Sequence, residues 1–436
     1  MRQPYRLESI TLRDVGVFEN THFDFPPIKS AEADAEKAEI HIFTGPNGCG
    51  KSTLLYALAA VFDVATNEAT ATPLKGRFKK PSSFINYRFN GNNGVTTNHP
   101  QKFYPEKNIN PQTPEDLSLY YCETTFGSDS ALNFAAFAYS GQSNPYEKFD
   151  ISTIEEITAS PFENALSFNS TVRPKTIAQW IALNRSNAAL ALQDGALEEI
   201  KRYDLALERI SAFIKSVCDL NVSFRLERNP RSVSLIIDGE IVPFNVLPDG
   251  LKSIIGWIAD LALRLEAIPW KEERDIFSQP IILFLDEVDI HLHPKWQRRI
   301  LPAIQKLLPN AQVFVSTHSP FVVGSVEDAW VYRLPDPQRL VCRDPHIAEV
   351  IEPTESAGGK SYSVILEEIF EVKEQFDVET ERQLEHFYQL RNAYLKDPQD
   401  IRALKACAEK VSEISEEVDA IILMEMRQIA RLTKAK

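Results

Sequence analysis

Residues 45–52 read GPNGCGKS, and their types and spacing could bind the phosphates of a nucleotide. They fit G-x-x-x-x-G-K-[ST], in which backbone N–H groups and a helix N-terminus surround phosphate oxygens. Lys51 would neutralise phosphate charge, and the Ser52 hydroxyl would complete the oxygen shell of Mg²⁺. A glycine-rich turn that matches by chance is the alternative, which is disfavoured because a predicted strand precedes the motif and a predicted helix follows it. The predicted nucleotide-binding residues are Gly45, Pro46, Asn47, Gly48, Cys49, Gly50, Lys51, Ser52 and Thr53.

Two adjacent acids, Asp286 and Glu287, follow the apolar run Ile281–Leu285 and could supply the hydrolytic half of such a site. Ligands of open α/β sheets bind at the carboxyl ends of the strands, where these acids would lie. Asp286 would contact the metal, and Glu287 would orient and polarise the attacking water as a catalytic residue. The alternative is two acids that simply end a strand, and the phosphate loop makes it less favourable.

A histidine ends the next apolar run, in the sequence VFVSTHSP. His318 could donate a hydrogen bond to a γ-phosphate and is a second candidate catalytic residue. A histidine at a strand end is more often structural, but the order and spacing of the motifs favour the functional interpretation. His291 and His293 have the spacing of a metal-binding pair, yet no third ligand lies nearby in the sequence, which disfavours metal binding.

These motifs require strands and helices in a definite order, and the hydrophobic pattern predicts that order. Near alternation over residues 7–25 predicts two strands joined by a turn. Short apolar runs at 40–43, 281–285 and 311–315 predict buried strands, with helical spacing at 52–62 and 294–308. Strands that alternate with helices predict a parallel sheet covered on both faces, and therefore an α/β fold.

The remaining pattern divides the chain into a head, residues 1–353, and a helical C-terminal region, residues 354–436. Within the head we predict a loop-rich insertion at 67–116, a helical lobe at 160–220 and a second half at 222–353. The sequence has strand-like patterns at 117–123 and 132–140, a hairpin pattern at 222–237 and the pattern of a buried helix at 251–265. In the tail, helices are predicted at 362–372, 380–395 and 398–432.

Composition excludes several classes of protein. The 436 residues carry a formal net charge of -14, which argues against a surface that coats nucleic acid or anionic membrane. No apolar run reaches the roughly 20 residues of a membrane span, and the N-terminus does not resemble a signal peptide, so we expect a cytoplasmic protein. The five cysteines lack a disulfide or zinc spacing.

Together the motifs, with their order and the segments DEVDIHLHP and STHSP, resemble the ABC-type ATPase heads of the SMC-like and OLD-like ATPases over residues 1–345. The resemblance implies an α/β P-loop head with an N-terminal β-rich lobe, a helical lobe and an all-helical C-terminal tail. It implies ATP and Mg²⁺ as cofactors, and a second protomer that completes the nucleotide site. The distance from Lys51 to Asp286 leaves no room for a long coiled coil, and the tail lacks the clustered acids of a TOPRIM nuclease.

The same resemblance assigns one further segment, the signature loop, and two further residues, Gln142 and Arg13. Leu247–Ser253 matches the signature loop that reaches the partner's nucleotide in trans, through Asp249, Gly250 and Lys252. Pro248 stands where the family has serine, which removes a hydroxyl and a backbone donor. Gln142 matches the glutamine that touches Mg²⁺ and the attacking water, with an ordinary turn residue as the alternative. Arg13 matches a basic residue near the nucleotide.

The tail segment Gly359–Phe370 resembles the ATPase subunit of Septu-type bacterial anti-phage systems, in which the ATPase assembles with itself and with a separate HNH nuclease. This implies an ATP-hydrolysing dimeric switch, or a higher homo-oligomer, that regulates a partner nuclease in anti-phage defence and contains no nuclease of its own. A nucleotide-sensing clamp with little turnover and a DNA-repair-type ATPase that acts on DNA directly are the alternatives. DNA could contact a basic cluster interleaved with aromatic residues, although such clusters are more often solvated loop charge: Arg77, Phe78, Lys79, Lys80, Phe84, Tyr87 and Arg88. A transporter subunit is disfavoured by the insertion and the tail.

Overall fold

The computed structural model describes residues 5–29, 37–62, 75–80, 82–97, 131–142, 153–228, 231–337, 347–398 and 400–434. The chain divides into two compact units, one that ends at Ile365 and one that begins at Leu366. The predicted domain boundary at 353/354 and the domain roles stay predictions. Among the helices within the described ranges, none combines the length and apolar composition needed to cross a membrane.

Strands and helices alternate along most of the first unit, and the second unit is helical. The strands are β1 (Leu7–Val15), β2 (Phe18–Asp24), β3 (Glu39–Thr44), β4 (Phe84–Phe89), β5 (Asn92–Thr97), β6 (Ala135–Ser140), β7 (Val222–Arg228), β8 (Arg231–Ile237), β9 (Glu240–Pro243), β10 (Ile281–Asp286), β11 (Ala311–Ser316), β12 (Trp330–Arg333), β13 (Glu349–Ile351) and β14 (Thr354–Glu355). The helices are α1 (Lys51–Ala60), α2 (Pro174–Asp194), α3 (Leu197–Cys218), α4 (Asp249–Ala267), α5 (Pro294–Leu307), α6 (Pro320–Val323), α7 (Tyr362–Glu368), α8 (Val378–Lys396), α9 (Arg402–Ser412) and α10 (Glu416–Lys434).

The central sheet has the strand order β14-β12-β3-β11-β10-β6. All its pairings are parallel except that of β14 with β12. β3, β6, β10 and β11 are buried along their whole length, as expected for parallel strands that are covered on both faces. The phosphate loop, the predicted glutamine, the two adjacent acids and the predicted histidine each lie at the carboxyl end of one of these four strands. The predicted α/β fold class is confirmed.

A second sheet has the order β13-β2-β1-β4-β5 and contains the predicted N-terminal hairpin. The described part of 67–116, which was predicted as a loop-rich insertion, includes the β4–β5 hairpin. Asn90 and Gly91 connect these strands at φ 48° and 79°, as an Asn-Gly type I′ turn requires. This turn signal lies between alternating apolar residues and was overlooked because the surrounding composition is so polar. The predicted strand at 117–123 lies outside the described residues.

Helices α2 and α3 lie within the range 160–220 predicted as a helical lobe, and the three-stranded sheet β7-β8-β9 follows them along the chain before α4. Within α4, Arg264 Nε and Asp260 Oδ2 form a fully buried ion pair, 2.5 Å apart. Asp260 also accepts a hydrogen bond from the Tyr139 hydroxyl at the end of β6, at 3.0 Å. Arg264 donates to the carbonyl oxygens of Pro161 and Thr171 at 2.6 and 2.7 Å, so its buried charge is fully engaged.

The second unit packs α8, α9 and α10 around one apolar cluster. Its buried members are Leu384, Phe387, Leu404, Ala408, Val411, Val418, Ile422 and Ile429. The prediction of a single helix from 398 to 432 was wrong, because one helix ends at Ser412 and the next begins at Glu416. Ser415 caps α10 by accepting a hydrogen bond from the Val418 N–H at 3.2 Å, and acids occupy the first turn. The helix predicted to reach Val372 ends at Glu368.

Candidate nucleotide site

The phosphate loop lies between the end of β3 and the start of α1, as the motif requires. Its glycines Gly45, Gly48 and Gly50 have φ of 147°, 80° and 99°, a region that side chains rarely allow. A Cβ on Gly50 would lie 2.6 Å from Val17 in the β1–β2 turn, and one on Gly45 would lie 2.6 Å from Leu334 O. The loop therefore packs closely against the Val17 side chain on one side and against the Leu334 backbone on the other.

Lys51 is buried at the mouth of this loop. Its ammonium donates to the carbonyl oxygens of Gly45 and Pro46 at 2.9 and 3.0 Å, and lies 3.5 Å from Cys49 Sγ. Burial raises the pKa of the Cys49 thiol although Lys51 lowers it, so this side chain stays neutral at physiological pH. The arrangement holds one positive charge where the motif would hold phosphate, beside the exposed Pro46 and Asn47.

Asp286 lies at the end of β10 and contacts the first turn of α1. Its Oδ1 accepts hydrogen bonds from Ser52 Oγ at 3.1 Å and from Ser316 Oγ at 2.6 Å. Burial raises the pKa of Asp286, and the two hydroxyls only partly oppose that effect. A buried carboxylate next to a serine hydroxyl is an all-oxygen donor set, which is what Mg²⁺ prefers. The residues present therefore fit the metal that the motif implies.

Glu287 follows in a left-handed backbone conformation, with φ 52°. Its N–H donates to Ser316 Oγ at 2.7 Å, and a Cβ on Gly141 would overlap its carbonyl oxygen. The side-chain amide of Gln142 donates to the Glu287 carboxylate. The structure thus brings Gln142 to the site, as the sequence predicted, but places it against the predicted catalytic acid and not against Asp286. Gln142 follows β6 and Glu287 follows β10, so the contact joins two segments that are far apart in sequence. A local sequence pattern cannot reveal such a contact.

His318 follows β11 and is exposed. Partial burial lowers the pKa of His318, and the Lys51 ammonium lowers it further, while Asp289 and Asp286 oppose them. The ring is therefore neutral at pH 7 and can donate one N–H.

The predicted signature residues open α4. Lys252 is buried, and its ammonium lies 3.4 Å from Asp249 Oδ1. A Cβ on Gly250 would overlap His291 O, so the first turn of α4 packs closely against the loop that follows the two acids. Pro248 occupies the N-cap position, where it makes no side-chain hydrogen bond to the helix.

Two arginines singled out from the sequence, Arg13 and Arg77, have neighbours within the protein. Arg13 Nη1 lies 3.3 Å from the side-chain oxygen of Asn20 when that amide is oriented to satisfy both of its neighbours. Arg77, assigned to nucleic acid from the sequence, donates to Thr53 Oγ1 in α1, and its guanidinium carbon lies 4.7 Å from the centroid of the Tyr56 ring. The basic residue that contacts the phosphate-loop helix here is therefore Arg77.

Two other charges of the basic cluster have acidic neighbours. Lys80 pairs with Asp14 at 2.8 Å and Arg88 pairs with Glu8 at 2.7 Å. These pairs agree better with solvated surface charge than with a prepared nucleic-acid surface.

The histidine pair does not form a metal site within the described residues. His293 Nδ1 accepts the Lys295 N–H at 3.2 Å and so caps α5. The described part of the chain contains no group of three His, Cys, Asp or Glu side chains arranged to hold a metal ion.

Comparison with known proteins gives two family matches and several partial relatives. A family model described as "AAA domain, putative AbiEii toxin, Type IV TA system" matches residues 40–324, and one described as "AAA domain" matches residues 5–71. The chain is 32% identical over 152 residues to "Retron Ec83 probable ATPase" of Escherichia coli, covering 34% of this chain and 26% of that protein. It is 32% identical over 169 residues to "Septu protein PtuA" of Bacillus thuringiensis, covering 35% of this chain and 42% of that protein. The resemblance to Septu-type ATPases is confirmed, and the chain spans less than half the length of either relative.

Two solved structures illustrate the overall likeness. The "SMC head domain from Thermotoga maritima" is 15% identical with a TM-score of 0.38, and the match covers 80% of this chain and 99% of that one. The "recombination mediator protein RecF-ATPrS in RecFOR pathway" is 12% identical with a TM-score of 0.37, covering 81% and 99%.

Proposed function

The chain belongs to the family described as "AAA domain, putative AbiEii toxin, Type IV TA system", and on that premise we propose that it is an ATP-binding and ATP-hydrolysing switch. One observation carries the proposal. The four parts of the proposed site all follow parallel strands of one sheet, although they are far apart in sequence. These parts are the phosphate loop, the acid pair, the turn that contains the glutamine, and the histidine. Ligands of α/β sheets bind at this edge.

In the proposed site, the loop N–H groups, Lys51 and Thr53 bind the phosphates. Ser52 and Asp286 hold Mg²⁺, with Gln142 completing the set once its amide leaves Glu287. When bound, the metal would neutralise the negative charge that develops on the phosphates.

Glu287 then orients the attacking water and accepts its proton, and the neutral His318 donates its N–H to the γ-phosphate. The Gln142 amide holds the Glu287 carboxylate in place before the site is complete. In this arrangement the Glu287 carboxylate would be free to act on water only after the Gln142 amide has moved away from it.

A second copy of the chain would complete the site. In the proposed dimer, Asp249, Gly250 and Lys252 at the start of α4 face the nucleotide held by the partner protomer. The start of a helix favours negative charge, and Lys252 adds a cation there. Arg13 is retained as a candidate nucleotide contact, with Arg77 beside the phosphate-loop helix as a second one.

We place this switch in bacterial anti-phage defence, in the cytoplasm, where it regulates a separate nuclease of the HNH type. The support is the similarity to proteins named as a Septu protein and as retron ATPases. DNA remains a candidate ligand of the assembly.

Phosphate release by wild type and by Glu287→Gln, with ATP binding measured in parallel, tests the proposal. Loss of a general base should lower the rate about 10²- to 10⁴-fold, while ATP affinity is retained. Pro248 at the start of α4 supports the second candidate, a clamp that binds ATP with little turnover. That candidate is supported if wild type and Glu287→Gln release phosphate at the same basal rate.

A further inference from the structure

We propose that Tyr362 and Ile365, on the helix that opens the C-terminal tail, are positioning residues for His318. This inference rests on the proposed role of His318 at the γ-phosphate. It gives a function to the tail segment Gly359–Phe370, which none of the nucleotide motifs includes.

Tyr362 packs between the two segments that follow the acid pair and the histidine. Its ring meets Phe321 of α6 edge-on, with the centroids 4.7 Å apart. On another side, the Arg298 guanidinium carbon of α5 lies 5.6 Å from the centroid of the same ring. Tyr362 therefore contacts both α5 and α6.

Ile365 packs against Gly324, at the end of α6. It is fully buried, and a Cβ built on Gly324 would lie 2.6 Å from its Cδ1 atom and 3.5 Å from a ring carbon of Tyr362. A side chain at residue 324 would therefore press on the Ile365 Cδ1 atom and require that side chain to shift.

Hydrogen bonds connect this turn directly to the residue after His318. Ser319 Oγ accepts from the N–H groups of Phe321 and Val322 at 3.1 and 3.4 Å and donates to Gln297 Oε1 at 2.8 Å. Gln297 Nε2 in turn donates to the carbonyl oxygens of Asp289 and Leu292 at 3.1 and 2.9 Å. A shift of α6 would therefore move the backbone beside His318 and the loop behind the acids together.

The consequence for catalysis follows from the short reach of a hydrogen bond. An imidazole N–H must lie about 2.6–3.2 Å from the oxygen it serves, and a misplacement of about 1 Å can lower a rate by about 10²-fold.

A reciprocal change of size tests the contact in the full-length protein. Gly324→Ala should lower ATP turnover about tenfold with ATP affinity unchanged, because the added methyl group displaces α6 from Ile365. Ile365→Val removes the Cδ1 methyl group that the new side chain would meet. Alone it should be close to wild type, and combined with Gly324→Ala it should restore most of the lost turnover. Failure of the double variant to recover would overturn the proposal.

A second series separates positioning from general stability. Tyr362→Phe keeps the ring and should behave as wild type, whereas Tyr362→Ala should lower turnover and shift the NMR resonances of the His318 ring. Those resonances are identified by their absence in His318→Gln. In the His318→Ala background, Tyr362→Ala should cost nothing further, because its effect passes through the histidine.

The outcomes distinguish this inference from the function on which it rests. If His318→Ala leaves turnover unchanged, the assigned role of His318 is wrong and the positioning proposal fails with it. If His318→Ala is impaired but Tyr362→Ala multiplies the loss or leaves the His318 resonances in place, only the positioning proposal is overturned.

Discussion

Glu287 is held in an unusual backbone conformation by its neighbours, and the first prediction concerns that support. Gly141→Ala would press a methyl group against the Glu287 carbonyl oxygen and displace the carboxylate from the position where it orients water. We expect hydrolysis to fall by about 10²-fold while the protein stays folded. Phosphate release measures the effect, with Gly76→Ala as a matched control because a Cβ there meets nothing within 4 Å. Equal rates in the two variants would contradict the assignment.

The ionisation of His318 gives a second prediction. Burial and then the Lys51 ammonium lower its pKa from the ordinary value of 6.5, so its titration midpoint by NMR should lie below that value. Lys51→Ala should raise the midpoint, because one of the two causes is removed. A midpoint at or above 6.5 in the nucleotide-free wild type, or no response to Lys51→Ala, would show that the ring is not placed as described.

Individual residues of the site differ in how far sequence could predict them. Lys51, Ser52 and Asp286 could be identified because a strand, a tight loop and a helix position them locally. The pairing of Gln142 with Glu287 and the approach of Arg77 to Thr53 depend on contacts between distant segments. No periodicity or spacing reports such contacts, so these partners required the structure.

At the next scale, β1, β3 and β11 are joined by a buried polar network. Glu39 Oε1 accepts hydrogen bonds from Arg6 at 2.5 Å, from His41 Nε2 at 2.7 Å and from Gln312 Nε2 at 2.9 Å. Burial lowers the pKa of His41 and outweighs the opposing effect of Glu39. Burial alone would raise the pKa of Glu39, but His41 and Arg6 lower it overall.

The lowered pKa values of His41 and Glu39 both predict that acid destabilises the folded protein. Unfolding lets His41 take up a proton below its ordinary pKa of 6.5 and Glu39 below 4.5, so the free energy of unfolding should fall as pH decreases through those values. Denaturant unfolding of His41→Gln should show a weaker pH dependence between pH 7 and 5.5. His386→Gln, in the exposed face of α8, is the control and should keep the wild-type dependence. The same slope in both variants would contradict the network's role.

The tail helices provide a prediction about elements that fold together. Phe387 is fully buried in their shared cluster, and Phe387→Ala should remove about 3–5 kcal/mol, a large share of what so small a unit can have. We expect faster proteolysis within residues 378–434 while ATP binding by the first unit persists. Val378→Ala, at an 89% exposed position, should resemble wild type. Loss of ATP binding in Phe387→Ala would contradict the division into two units.

Elements were predictable where hydrophobic periodicity was strong. The strands that precede the motifs and helices α2, α3 and α4 follow directly from it. The β4–β5 hairpin and the break before Glu416 were missed because each is set by a few polar residues, the Asn-Gly turn and the Ser415 cap. Such signals are easily masked by polar composition or by continuous helical spacing.

For the whole molecule, the proposed link between two copies of the chain is the bound nucleotide. Each copy carries a phosphate loop after β3 and a signature segment at the start of α4. With a net charge of -14, copies repel at long range, so association should need the short-range contacts that the nucleotide supplies.

Light-scattering mass of the Glu287→Gln protein, with and without MgATP, tests this link most directly. This variant should bind ATP without cleaving it, so MgATP should increase its mass by at least one further copy. Lys51→Ala, added as the matched loss-of-binding variant, should show no increase. An unchanged mass for Glu287→Gln under saturating MgATP, or the same increase in Lys51→Ala, would contradict the account.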